Sequence, residues 1–376
     1  MYYNAVAMRL MIIFGTRPEV IKLAPVVHVA RRAGDMTLCV VSTNQHIEMQ
    51  QQMLDVFGIK PDYELHVMEL NQGLSDVTEK ALHGLRGVIE AEHPDFILVQ
   101  GDTTSALAGA LAGFYARVGV GHVEAGLRTG DKWHPYPEEM NRRLIASLAD
   151  LHFAPTESAR QHLLAVGVDA GRIFVTGNTV VDALQMVRER AVAQGLPLLD
   201  RLGEDRPMLV VTAHRRESFG APMLSICRAL RLVCERRADV DLVFPVHLNP
   251  NLRETVFRAL DGVPNIHLLE PVDYLTMVAL LDRAVLILTD SGGIQEEAAA
   301  LGRPVLVLRD KTERMEGVEA GVARMVGTGT EAIVRETLGL LADPEALARM
   351  ARGSDCYGDG RAAGRIVDGV RGWTLR

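Results

Sequence analysis

Three carboxylates that could do chemistry stand in residues 122–143, HVEAGLRTGDKWHPYPEEMNRR: Glu124, Glu138 and Glu139. Glu124 follows the apolar run VGVGHV, which reads as a buried strand end. Glu138 follows Pro135-Tyr136-Pro137, and proline fits the first turn of a helix. A strand end and a helix start brought together are common sources of catalytic groups in α/β proteins. Two carboxylates on opposite sides of one carbon can take a proton from one face and return it to the other. Glutamates also gather at helix N-termini for reasons of dipole alone. Glu139 is read in that second way.

Other turns between an apolar run and a helix carry polar groups. Residues 10–14, LMIIF, lead into Gly15-Thr16-Arg17-Pro18-Glu19. Thr16 and Glu19 have capping-box spacing, and Pro18 suits a first helical turn. Such a helix start exposes backbone N–H groups and suits an anion. Arg17 sits at it and Lys22 lies about one helical turn further on, although a plain strand-to-helix turn reads equally well. Residues 96–100, FILVQ, end in Gly101-Asp102-Thr103-Thr104. Asp102 lies just past a strand's C-terminal end, where open α/β sheets place ligands. It also fits the N-cap of the following helix.

In the second half, Asp290-Ser291-Gly292-Gly293 joins an apolar run to a helix. Two glycines let a diphosphate approach the backbone, and the helix N-terminus offers N–H groups and a favourable dipole. Ser291 adds a hydroxyl donor, and Glu297 can accept hydrogen bonds from both hydroxyls of a ribose. His214, with Arg215 and Arg216, ends another run and is a candidate for the same diphosphate. A loop histidine is the plain alternative for His214 and for His247. Neither a Walker A motif nor a G-x-G-x-x-G after the first strand occurs.

The elements that must position these groups alternate along the whole chain. Apolar runs of strand length are followed by helical stretches, which implies parallel sheets with helices on both faces. A chain of 376 residues is long for one core, so two domains are expected. Residues 194–207, QGLPLLDRLGEDRP, are rich in proline, glycine and charge and mark the boundary. The expected organisation is an N-terminal domain at 1–194, a C-terminal domain at 195–360 and a closing helix at 361–376. A net charge of -8 argues against a general nucleic-acid binder. The four cysteines form no C-x-x-C pair, which predicts a reduced chain without a structural zinc. No stretch is apolar for long enough to span a bilayer, and the N-terminus lacks the shape of a signal peptide.

Taken together, these residues resemble the non-hydrolysing UDP-N-acetylglucosamine 2-epimerases. The matching runs are FGTRPEVIKLAP, QGDTTSALA, GHVEAGLRTGD, PYPEEMNRRL, FVTGNTVVDAL, HRRESFG, FPVHLNPN, LTDSGGIQEEAAALG and PVLVLRD, in that order. The resemblance implies two Rossmann-like domains of GT-B type with the active site in the cleft between them. It implies a final helix that packs back on the N-terminal domain, a cytoplasmic homodimer, and neither metal nor nicotinamide cofactor. It assigns Asp102, Glu124, Glu138 and His214 to catalysis, with Arg17 and Lys22 beside them on the substrate. Ser291, Gly292, Gly293, Glu297 and Arg314 match UDP ligands, and Val272 to Met277 match the part that holds uracil. Some relatives bind a second UDP-N-acetylglucosamine as an activator, in a region matched here by Gln45, His46, His214 and His247. Met277, Met315, Ile47 and Asn71 depart from the family's usual residues.

The implied reaction is reversible C2 epimerisation of UDP-N-acetylglucosamine to UDP-N-acetylmannosamine. The C2 proton is not next to a carbonyl, so UDP leaves first and the positive charge at C1 acidifies it. The product of proton loss is 2-acetamidoglucal, to which a proton and UDP are returned. Three alternatives share much of the pattern. A GT-B glycosyltransferase would need an acceptor, and a UDP-sugar sensor would need no acids. A 2-epimerase of a modified UDP-sugar, such as a diacetamido uronic acid, would share every motif.

Overall fold

The computed structural model describes residues 7–44, 47–69, 72–195, 197–202, 206–215, 218–352 and 355–373. The chain divides into two compact units, Met1–Met186 with Gly358–Arg376, and Val187–Tyr357. Each has its own parallel sheet, and each is Rossmann-like. The fold class is therefore the expected one.

The first unit is built on β1 (Met8–Phe14), β2 (Met36–Ser42), β3 (Tyr63–Glu64), β4 (Phe96–Gln100), β5 (Gly119–Val123), β6 (Leu151–Ala154) and β7 (Ile173–Val175). They lie in the order β3-β2-β1-β4-β5-β6-β7 with parallel pairing throughout. Strands β4, β5 and β6 are buried along their whole length, as a sheet covered on both faces requires. The strand order reverses between β1 and β4. Loops leaving those two strands diverge to opposite sides and open a crevice at the strands' C-terminal ends. The turn after β1 carries Arg17, and the turn after β4 carries Asp102. The cover over this sheet includes Thr104–Ala116, whose Gly109 comes so close to Val99 that an added Cβ would lie 2.8 Å from its Cγ1.

The helix Ala362–Arg371 belongs to this unit, although it lies at the far end of the chain. Its buried face is Ala362, Ala363, Ile366, Val367 and Val370. Asp182 accepts the first two N–H groups, those of Ala362 and Ala363, at 3.2 and 2.9 Å. The Trp373 ring, one turn on, packs 5.4 Å from Phe96.

The second unit has β8 (Met208–Thr212), β9 (Asp241–Pro245), β10 (Ile266–Leu269), β11 (Leu286–Thr289), β12 (Val305–Val307) and β13 (Ala323–Met325). Their order is β10-β9-β8-β11-β12-β13, again all parallel. Here the reversal lies between β8 and β11, the strands that end at His214 and at Asp290-Ser291. Cys227 and Cys234 are both buried in the core of this unit with Leu209, Leu230 and Phe244.

The sequence pattern misses β3 and β13. Each has only two or three residues, too few to show a periodicity. Proline enters the 138 helix differently from the expectation. Pro137 occupies the N-cap position, and the helix is Glu138–Leu148.

Gly15, where β1 meets its turn, has no room for a side chain. An added Cβ would lie 2.2 Å from both the Ser105 and the Thr43 hydroxyl oxygens. Gly15→Ala is expected to destabilise the protein by about 1–3 kcal/mol, the usual cost of overpacking. A lower urea midpoint at unchanged m-value would show it, and an unchanged midpoint would mean that Thr43 and Ser105 can move aside.

Candidate active site

Around the reversal in the first unit the expected residues come together. Glu124 directly follows β5 with φ 63°, a left-handed conformation that is uncommon outside glycine. Its carboxylate is buried and held from several directions. Lys22 pairs with Oε1 at 2.5 Å, Asn178 Nδ2 donates to the same oxygen at 3.1 Å, and Gln100 Nε2 donates to Oε2. Asp102 lies one turn away. Gly101 between them is so near that a Cβ there would be 3.7 Å from Glu124 Oε2. Asp102 is not the N-cap of the next helix, because Thr103 is. The Thr103 hydroxyl accepts from Ala106 N at 3.0 Å. The Asp102 carboxylate instead receives Arg142, through Nε at 2.8 Å and a terminal nitrogen at 2.5 Å. Asn141 Nδ2 donates to the Asp102 carbonyl at 2.8 Å.

Asn141 and Arg142 belong to the helix Glu138–Leu148, so that helix is tied to the Asp102 turn. Glu138 starts it, one turn before Arg142 and on the same face. One Glu138 oxygen, Oε2, is buried without a hydrogen-bond partner among the described residues. Glu139 does something else. It is fully buried and accepts from Thr129 N at 3.0 Å and Arg143 Nε at 2.9 Å, which ties residues 129–137 to the helix. Arg17 is half-buried at the first position of its helix. Behind the turn, His122 on β5 shares a 2.7 Å hydrogen bond through Nε2 with the Gly101 carbonyl. A carbonyl only accepts, so Nε2 carries the proton. Burial pushes this imidazole down to about 4, and it is neutral at physiological pH.

In the second unit the expected residues stand at that sheet's own reversal. Ser291 occupies the N-cap position of the helix Gly292–Ala300, and its hydroxyl does not cap that helix. Asp290 is fully buried and gathers the neighbouring turn. It accepts from the N–H groups of His214 and Arg215, each at 3.0 Å, and from the Ser218 hydroxyl at 2.9 Å. His214 is thereby held with its ring stacked on that of His247, centroids 6.0 Å apart. His247 Nδ1 accepts from Asn249 N at 3.2 Å, which leaves Nε2 as its N–H.

Arg314 is buried beside Gly292, where an added Cβ would come within 2.9 Å of the guanidinium carbon. It bonds Glu296 at 3.1 Å and Glu313 at 2.6 Å. Burial alone would push Glu313 up, but Arg314, Arg215 and Arg309 outweigh it and hold the group down at about 2. Glu297 is buried and accepts from the Tyr274 hydroxyl at 3.1 Å. Tyr274 opens the helix Tyr274–Arg283, which contains Met277, and Val272 lies just before it. Gln45, His46, Asn71 and Arg216 lie outside the described residues. Among the described residues, no group of three or more His, Cys, Asp or Glu side chains is placed to hold a metal ion, and no helix is long and apolar enough to cross a membrane.

A model of the UDP-N-acetylglucosamine 2-epimerase family matches residues 28–371. The chain belongs to this family. The UDP-N-acetylglucosamine 2-epimerase of Escherichia coli K12 is 49% identical over 373 residues, covering 97% of this chain and 98% of that protein. Among solved structures, the family member from Neisseria meningitidis, bound to UDP-GlcNAc, superposes with a TM-score of 0.90 at 41% identity. That match covers 97% of this chain and all of the other. The enzyme from Methanocaldococcus jannaschii, in complex with UDP-GlcNAc and UDP, matches with a TM-score of 0.81 at 34% identity, over 97% and 99% of the two chains.

Sequence reasoning did not single out Gln100, Asn178, Arg142 or Asp290 as members of a site. Gln100 ends a strand and Asn178 ends a strand-to-helix turn, each next to glycine, which is a usable signal. Arg142 carries none, since an arginine inside an amphipathic helix usually faces solvent. Replacing it by methionine leaves Asp102 and Glu139 without a shared cation. Arg142→Met is expected to lower stability by about 1.5–3 kcal/mol, the usual worth of hydrogen bonds to a charged group. Chemical denaturation measures this, and a loss below about 0.5 kcal/mol, the scale of an ordinary surface change, would show that solvent replaces the guanidinium.

Proposed function

We propose that the protein interconverts UDP-N-acetylglucosamine and UDP-N-acetylmannosamine by inverting C2 of the sugar. The observation that carries this reading is the set of carboxylates at the reversal of the first sheet. Asp102 and Glu124 are each fixed by buried donors, and Glu138 keeps one oxygen without a partner among the described residues. A glycosyltransferase or a sensor has no use for several acids held in this way. Membership of the 2-epimerase family and its relatives' binding of UDP-GlcNAc support the same conclusion.

In this reading the second unit holds the nucleotide. The N–H groups at Gly292 and Gly293, the Ser291 hydroxyl and His214 hold the diphosphate, and Arg17 is a further cation for the departing phosphate. Glu297 takes the ribose hydroxyls, residues 272–277 take the uracil, and Arg314 supports the Gly292 turn. Cleavage of the C1–O bond gives both bonding electrons to UDP, and these donors stabilise the charge that develops on it. The cationic sugar then loses the C2 proton to a carboxylate, and the C–H electrons form the C1–C2 double bond of 2-acetamidoglucal. A proton supplied to the other face of C2 and re-addition of UDP at C1 complete the inversion. Glu138 can accept a proton without giving up an existing hydrogen bond at Oε2, unlike Glu124. No net proton, electron or water is consumed.

Purified protein with UDP-N-acetylglucosamine alone, followed by proton NMR in D2O, tests the reading. The expected result is a manno anomeric signal with deuterium at C2. Folded protein that gives no manno product, or needs an acceptor, would sink it. Glu138→Gln and Asp102→Asn are each expected to slow turnover about a hundredfold, the scale of a lost acid or base, while UDP affinity stays within about threefold. A variant that turns over at the wild-type rate loses its catalytic assignment. His214→Ala is expected to release UDP and 2-acetamidoglucal into solution, because the departing diphosphate is held less firmly. Product analysis that finds neither compound would remove His214 from this role.

A further inference from the structure

Glu19 is a fully buried carboxylate on the first turn of the helix Arg17–Arg32 and takes no part in the chemistry above. Its Oε2 accepts from the N–H groups of Gly15 at 3.0 Å and Thr16 at 2.7 Å. Its Oε1 accepts from the Thr103 hydroxyl at 2.7 Å. The Thr103 oxygen itself accepts from Ala106 N and caps the helix Thr104–Ala116. One side chain therefore touches both turns at the reversal between β1 and β4, the turn with Arg17 and the turn with Asp102.

The packing around it leaves little freedom. Thr43 and Ser105 hydrogen-bond each other at 2.7 Å, directly over Gly15. Burial pushes Glu19 up to about 7, against the hydrogen bonds from Thr103, Thr16 and Gly15. Satisfying the Gly15 and Thr16 N–H groups does not by itself call for a carboxylate buried at such a cost, since the oxygen of an uncharged side chain of the same shape would also accept from them.

We infer that Glu19 is a positioning residue for the C2 reaction, fixing the Arg17 turn against the Asp102 turn. The inference rests on the C2-epimerase reading. It requires that the group on the departing diphosphate and the group that handles the proton keep a set separation. A misplacement of about 1 Å in such an arrangement can cost on the order of a hundredfold in rate.

Glu19→Gln tests it, because glutamine keeps the volume and one oxygen for Gly15 and Thr16. Its amide nitrogen, however, meets Thr103 as a donor in place of an acceptor. The expected result is a fall in kcat of at least about tenfold, with KM for UDP-N-acetylglucosamine changed less than about threefold. The thermal midpoint at pH 8 should hold or rise, since a buried charge has gone. Thr103→Ser, which keeps the hydroxyl, should retain the wild-type rate. Thr103→Val should lower kcat, and combining it with Glu19→Gln should add little further loss. A Gln variant with kcat within about twofold of wild type, or a rate loss matched by loss of folded protein, would overturn the inference alone. Inactive wild-type protein would overturn the C2 reading and this inference with it.

Discussion

Backbone N–H groups at the mouth of a sheet reversal have no neighbouring strand to pair with, and they must still be satisfied. Both units meet this constraint with a buried carboxylate. In the first, Glu19 accepts from Gly15 and Thr16 and reaches Thr103. In the second, Asp290 accepts from His214, Arg215 and Ser218. In each case the acid comes from one of the two turns and holds the other. Arg17 and Asp102 hang on the first bridge, and His214 and Ser291 on the second. The two sites are thus built by the same local solution on two sheets of matching strand order.

The acids proposed for proton transfer are held by a different kind of contact. Glu124 has a left-handed backbone, a conformation that costs of order 1–3 kcal/mol for a residue with a side chain. Lys22, Gln100 and Asn178 compensate that cost by closing on its carboxylate. They come from the helix after β1, from the end of β4 and from the turn after β7. The strained residue is therefore stable only when most of the first sheet is assembled.

Much of this was legible in the sequence. The apolar run at 96–100 places β4 with the bounds observed, because it is buried along its whole length and ends in turn residues. Parallel order follows from the alternation with helices. Asp102, Glu124, Glu138, His214 and the Ser291-Gly292-Gly293 turn could be named because they stand at strand ends or helix starts, where chemistry collects. Their partners could not. Arg142 meets Asp102 across 40 positions, and Asn178 meets Glu124 across 54. Such pairings depend on strand order, to which local patterning is blind. The N-cap role considered for Asp102 failed for a local reason: Thr103 is one residue nearer the helix and caps it as well as an aspartate would.

The helix Ala362–Arg371 completes the first unit from the far end of the chain, with Asp182 capping its start and Trp373 lying against Phe96. Synthesis runs from the N-terminus, so the whole second unit leaves the ribosome before this helix does. Until then the first unit presents an unfilled apolar seat along Arg17–Arg32 and β6. The first unit therefore cannot be completed before the second has been synthesised, however early its sheet forms. A nascent chain stalled short of residue 362 would carry that open seat, the kind of surface to which chaperones bind.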